Sequence, residues 1–175
     1  MRNCKMIHSR RDDCTIYERS QQGLAIGSAV HCGGKTYTIR RKVKTPRGNF
    51  ICIAYTTKES EERDNRASCE VLTDLLGWTC VLLPRDNLCK TADMFNANDG
   101  TLWEIKTTKK GSANAIDKAM KRAVLQAQNM ILRFDMEGVD LDEKGKIVLY
   151  KNHKYHLKNI MLIAESSILL LHDEH

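Results

Sequence analysis

The sequence contains no apolar run long enough to span a bilayer, no C-x-x-C pair, no internal repeat and no low-complexity linker. The first absence argues against a membrane-spanning helix. The opening MRNCKMIHSRRDDC lacks an apolar core segment and does not read as a secretory signal. Seven cysteines, Cys4, Cys14, Cys32, Cys52, Cys69, Cys80 and Cys89, are odd in number and scattered. Several fall in segments expected to be core, where a free thiol behaves as a small hydrophobe. This usage favours a reducing compartment over a disulfide scaffold. The nearest approach to a zinc cluster is His153-x-x-His156 and His172-x-x-His175, a spacing that polar termini and exposed strands often carry without a metal. With no repeat or linker to divide it, the chain is most simply one α/β domain.

What is present is an ordinary globular composition with an uneven charge. At 175 residues, 42% hydrophobic and 29% charged, the chain is long enough for a sizeable core and too apolar to be disordered. The net charge of +6 is gathered into segments. Lys35 to Arg47 carries six basic residues and no acid, Lys106 to Arg122 six against Asp117 alone, and Lys144 to Lys158 five with two histidines and no acid. Such surfaces attract phosphate backbones with little regard to sequence. Arg41, Lys109, Lys110, Lys121 and Arg122 are the candidate nucleic-acid contacts.

Along the chain, residues 1 to about 26 show no clear period. KTYTIRRKVKTPRGNFICIAY, from Lys35 to Tyr55, has two alternating runs about Thr45-Pro46-Arg47-Gly48-Asn49 and predicts a hairpin. Thr56 to Leu76 predicts a helix, capped by Thr56 or Thr57, stopped by Gly77 and packing through Ser68, Val71 or Leu72, and Leu75. Glu70 falls off that face and is expected in solvent. Ser112 is an N-cap for an amphipathic helix from Ala113 to about Arg133, with Ile116, Met120, Ala123, Ala127 and Met130 spaced by four and three. Met130 to Phe134 passes into a strand. Lys146–Tyr150, His153–Leu157, Asn159–Ala164 and Ile168–Leu171 read as further strands, with a final helix the alternative.

The organising stretch is WTCVLLPRDNLCKTADMFNANDGTLWEIKTT, Trp78 to Thr108. Trp78 to Leu83, closed by Pro84, has the continuous apolar character of a strand buried on both faces. Ala92–Phe95 and Leu102–Thr107 flank a turn ending in Asp99-Gly100, which predicts a hairpin. Side chains alternate along a strand, so Trp103 and Ile105 share one face while Glu104 and Lys106 share the other. Pairing across the turn would bring Asp93 near Glu104. Two carboxylates held together repel unless a cation lies between them. Oxygen-only ligation suits magnesium or manganese, which can polarise a phosphoryl oxygen and acidify a bound water. Lys106 would orient that water or offset charge building on the phosphate.

The order helix, LLGWTCVLLP, ADMF, DGTLWEIKTT, helix resembles the core of the PD-(D/E)xK nuclease superfamily. More narrowly, residues 60 to 135 are similar to the C-terminal tRNA-cleaving toxin domains of contact-dependent growth inhibition and related polymorphic toxin systems. Ala92 stands where the family has proline. The resemblance implies a restriction-endonuclease-like mixed central sheet flanked by helices. It implies Asp93, Glu104 and the Ile105 carbonyl as ligands of magnesium or manganese, with zinc the further alternative, and Lys106 as the catalytic lysine. It asks for one more acid from the preceding helix, Asp64 first and Glu61 second, and for an assisting glutamine, Gln126 or Gln128. Residues 1–55 are then an N-terminal arm and basic β-hairpin accessory, and 56–175 the core with C-terminal strands. A cognate immunity protein over the basic face and action in a bacterial cytoplasm, after delivery into a target cell, complete the expectation.

The leading functional expectation is therefore a metal-dependent, tRNA-cleaving toxin domain. A DNA endonuclease of restriction or repair type is the second, ranked lower because no DNA-binding module accompanies the core. A catalytically dead module that binds nucleic acid or protein on the same fold is the third.

Overall fold

In the computed structural model, residues 4–7, 24–56, 62–86 and 91–172 are described. In chain order the elements are β1 (Cys4–Ile7), β2 (Ala29–Cys32), β3 (Lys35–Thr38), β4 (Arg41–Lys44), β5 (Phe50–Ile53), α1 (Glu62–Leu76), β6 (Cys80–Leu82), β7 (Met94–Asn96), β8 (Thr101–Thr108), α2 (Ala113–Ala123), β9 (Asn129–Phe134), α3 (Leu141–Tyr155), β10 (Asn159–Ala164) and β11 (Ser167–His172). The chain falls into two compact units, one of residues 10–102 and one of residues 1–9 with 103–175. Each is α/β, a mixed sheet carrying α1 in the first and α2 and α3 in the second.

In the unit of residues 10–102 the sheet runs β7-β6-β5-β4, with β5 and β6 parallel and the other pairs antiparallel. α1 packs on β5 and β6 through Ser68, Cys69, Leu72, Thr73 and Leu75, all buried. Gly77, at φ 65°, ends the helix and donates to the Thr73 carbonyl at 3.1 Å, a conformation a side chain would strain. A separate ribbon pairs β2 with β3. The first alternating run is thus divided. Lys35–Thr38 turns back on β2, buried Ile39 intervenes, and only Arg41–Lys44 pairs with β5.

Asp74 ties the β4–β5 turn to the last turn of α1. Its carboxylate accepts from Thr45 Oγ1 at 2.6 Å, Asn49 Nδ2 at 2.8 Å and the Arg47 N–H at 3.2 Å. An acid at a helix C-terminus opposes the helix dipole, so these three donors are what make the position tenable. Asp74→Ala removes the acceptor and leaves the hydroxyl proton of buried Thr45 without a partner, although its oxygen still accepts the Asn49 N–H. It is expected to cost about 2–3 kcal/mol, read as a lower urea midpoint with an unchanged denaturant slope.

In the unit containing residues 103–175 the sheet order is β1-β11-β10-β9-β8. β8, β9 and β10 are parallel, joined through α2 and α3, and β11 and β1 close one side antiparallel. Parallel neighbours require such crossover helices. Ile116, Met120, Met130, Leu132, Phe134, Val148, Leu157, Ile160 and Leu162 form the core between helices and strands.

Three expectations are corrected here. Residues 141–155 form a helix, so Lys146–Tyr150 and His153–Leu157 are not strands. Asp140 caps it, accepting from the Asp142 and Glu143 N–H groups, and His156 closes it in the left-handed region. The buried face runs Leu141, Gly145, Val148, Asn152, Tyr155 at helical spacing. α2 stops at Ala123 rather than near Arg133, and the Gln126 N–H closes a tighter, three-residue turn on the Ala123 carbonyl just beyond it. Finally, Cys4–Ile7, in a segment with no visible period, pairs with β11.

Candidate active site

β8 is the longest strand among the described residues, with Trp103, Glu104 and Ile105 all buried. Its parallel partner β9 sets Met130 beside Glu104, Ile131 beside Ile105 and Leu132 beside Lys106. Glu104 is 1% exposed. A carboxylate so placed costs several kcal/mol unless charge and hydrogen bonds meet it. Lys106, two residues on and therefore on the same face, donates from Nζ to Glu104 Oε1. Gln126 Nε2 donates to the same oxygen at 2.8 Å. The double turn of the Gln126 and Ala127 N–H groups onto the Ala123 carbonyl, at 2.9 and 3.1 Å, delivers that amide from beyond the end of α2. Gln128, the alternative, is exposed and uses its carbonyl to accept the Lys158 N–H. The structure thus brings together Glu104, Lys106 and Gln126.

The remaining basic candidates of this unit lie in solvent. Lys109 and Lys110 occupy the exposed loop after β8, where Thr108 Oγ1 accepts the Lys110 N–H at 3.1 Å. Lys121 and Arg122 are exposed on the last turn of α2, where they suit the helix dipole. Ser112 caps that helix as expected, accepting from the Ala115 N–H at 3.3 Å.

In the other unit, Asp93 is 9% exposed just before β7, and its carbonyl accepts the Leu83 N–H at 2.9 Å. It sits against α1. Burial pushes the Cys69 thiol well above its ordinary pKa, the Cys80 thiol adds to this, and the Asp93 carboxylate adds further. Asp64 is half-buried in the first turn of α1. Glu61 lies outside the described residues. Glu70 is half-buried and paired with Arg66 at 3.1 Å.

The buried acid in the first turn of α1 is Glu62, 5% exposed. Arg41 reaches it from β4 at 2.5 Å, with its guanidinium 5.6 Å from the centre of the Tyr55 ring. Arg41 is thus an internal clamp as well as a basic residue of its strand. Glu62 was legible in principle, since it lies seven residues, two helical turns, before buried Cys69. Choosing the face from Ser68 and Leu75 pointed to its neighbours instead.

The donor chemistry fits a hard cation. Glu104 offers a buried carboxylate, and the Ile105 carbonyl follows it in the strand. Among the described residues no group of three or more His, Cys, Asp or Glu side chains is placed to hold a metal. Magnesium is commonly held by one or two carboxylates, with water and substrate phosphate completing its shell. No helix among the described residues is long and apolar enough to cross a membrane.

Residues 95–168 match the family described as the contact-dependent growth inhibition CdiA C-terminal domain. Among solved structures, the chain is similar to one from the CdiA-CT/CdiI toxin and immunity complex of Burkholderia pseudomallei. The TM-score is 0.48 at 16% identity, over 67% of this chain and 90% of that one. No curated protein matches. The matched stretch contains Glu104, Lys106 and Gln126 and begins two residues after Asp93.

Proposed function

We propose that this chain is a metal-dependent endonuclease that hydrolyses phosphodiester bonds, acting as a growth-inhibiting toxin domain with tRNA as its substrate. The observation that carries the reading is the buried carboxylate Glu104 with Lys106 and Gln126 both donating to one of its oxygens. A fold gains no stability from such an arrangement that an apolar trio would not supply, whereas phosphoryl transfer needs a held carboxylate next to a cation. The match of residues 95–168 to CdiA C-terminal domains supports the toxin role. The segregated basic segments support a nucleic-acid substrate.

In this reading Glu104 and the Ile105 carbonyl hold the metal. Asp93 is the second carboxylate, on the strength of its place in the sequence pattern alone. Asp64 or Glu61 remains the choice for the helix acid. When bound, magnesium or manganese supplies a Lewis acid for the phosphoryl oxygen and acidifies a water. Lys106 offsets negative charge on the scissile phosphate and orients the attacking water. Gln126 fixes the rotamer of Glu104, leaving the carboxylate a single orientation. Lys109, Lys110, Lys121 and Arg122 hold the backbone of the nucleic acid, and Arg41 is a further basic contact in the other unit. A cognate immunity protein neutralises the domain by covering the basic face, and the target is the cytoplasm of a recipient bacterium.

Incubating the purified protein with tRNA and with duplex DNA, each with Mg²⁺, Mn²⁺ or Zn²⁺ and then with excess chelator, tests the reading. The expected result is tRNA cut in Mg²⁺ or Mn²⁺, silence in chelator and little action on the duplex. Cutting of duplex DNA in preference to tRNA would favour the restriction or repair reading. Binding without cleavage under every metal would leave only a binding module.

A further inference from the structure

α3 presents one stripe to solvent that its packing does not explain. Asp142, Glu143, Lys146, Tyr150, His153 and Lys154 are its exposed positions, while Gly145, Val148, Asn152 and Tyr155 face the core. Tyr150 is 76% exposed, more than any other exposed large hydrophobic side chain among the described residues. A lone exposed aromatic is unremarkable. Here, however, Lys146 lies four residues before it and Lys154 four after, one helical turn away on each side, with the Lys154 ammonium resting 5.2 Å from the centre of the Tyr155 ring at the edge of the same stripe. Tyr150 and Lys154 also line an open cleft of about 450 Å³ with Asp117, Lys151 and His153. The acid in that cleft is already met, since Lys151 reaches Asp117 at 3.7 Å. The surplus charge of the stripe from Lys146 onward is positive.

The geometry points to this stripe as a docking site for an unpaired stretch of RNA, one base stacked on Tyr150 and the flanking phosphates held by Lys146 and Lys154. Aromatic faces accept any base, and lysines at both sides follow the backbone on which that base is carried. Base-paired RNA hides its base faces in the stack, so the site selects loops over helices. The inference deepens the nuclease reading and rests on it for the class of ligand, because it says which part of a folded RNA this protein would grip. It uses none of the residues placed at the active site.

The test measures affinity of the full chain by fluorescence anisotropy, in chelator so that no cutting intervenes. The probes are a labelled hairpin RNA with a long unpaired loop and a blunt RNA duplex of equal length. Tyr150→Ala is expected to weaken loop binding about tenfold and duplex binding hardly at all, while Tyr150→Phe stays near wild type. Joint replacement of Lys146 and Lys154 by alanine is expected to lower the slope of log affinity against log salt by about 1.4. Unchanged loop affinity in Tyr150→Ala overturns the proposal, as does a Tyr150→Phe variant as weak as the alanine. Variants that lose a protein partner while keeping full RNA affinity would reassign the stripe to that partner. Tyr150-dependent binding without cleavage in any metal would retain this site and sink the nuclease reading; cleavage with no effect of Tyr150 would do the reverse.

Discussion

Glu104→Gln is expected to reduce tRNA cleavage on the order of 10³-fold while leaving the circular dichroism spectrum and RNA affinity close to wild type. The substitution keeps the volume of a side chain that is 1% exposed, so the β8–β9 core need not repack. Its amide oxygen can still accept from Gln126 or Lys106. What disappears is the negative charge, and with it the ability to hold a divalent cation. Glu104→Ala should lose as much activity and also some stability, because it leaves a void beside Met130 and removes the acceptor of two donors. Comparing the pair separates charge from packing. Near-normal cleavage in Glu104→Gln would remove this residue from the chemistry.

Lys106→Met should lower the cleavage rate about 10²–10³-fold with little change in KM. Its side chain is 20% exposed and its ammonium meets Glu104, so its proposed task is confined to the moment when charge develops on the phosphate. Lys106→Arg is expected to recover only part of the loss, since a planar guanidinium cannot replace a point ammonium in the same space. A Lys106→Met enzyme with normal turnover but weaker binding would instead make the lysine one more contact to the phosphate backbone. Single-turnover rates at saturating enzyme distinguish the two.

Much of the frame around this site could be read from local chemistry. The alternation in LWEIK, the cap at Ser112 and the glycine at 77 each act over a few residues, and each is found where expected. The assisting glutamine was an expectation of the family resemblance, and only the turn after Ala123 separates Gln126, which reaches Glu104, from exposed Gln128. α3 was hidden because Ile147-Val148-Leu149-Tyr150 has the β-branched and aromatic character of a strand. Its buried face includes Gly145 and Asn152, which an apolar count does not register. Asn152 is buried because its side chain both accepts the Leu157 N–H and donates to the Leu157 carbonyl, each at 2.9 Å. Glu62 was hidden for a related reason. Its spacing to Cys69 marks the face, but the partner that makes a buried acid tenable there, Arg41, comes from a strand earlier in the chain. β1 is a four-residue strand whose partner lies at the far end of the chain, beyond the reach of any periodicity.

The most direct measurement is cleavage of one labelled tRNA by the wild-type protein and by Glu104→Gln, side by side, through chelation and stepwise return of Mg²⁺ or Mn²⁺. The account predicts that wild-type cleavage vanishes in chelator and returns with the metal, while Glu104→Gln binds the same tRNA and does not cut it at any metal concentration. Cleavage that persists in chelator, or that proceeds equally in Glu104→Gln, would contradict it.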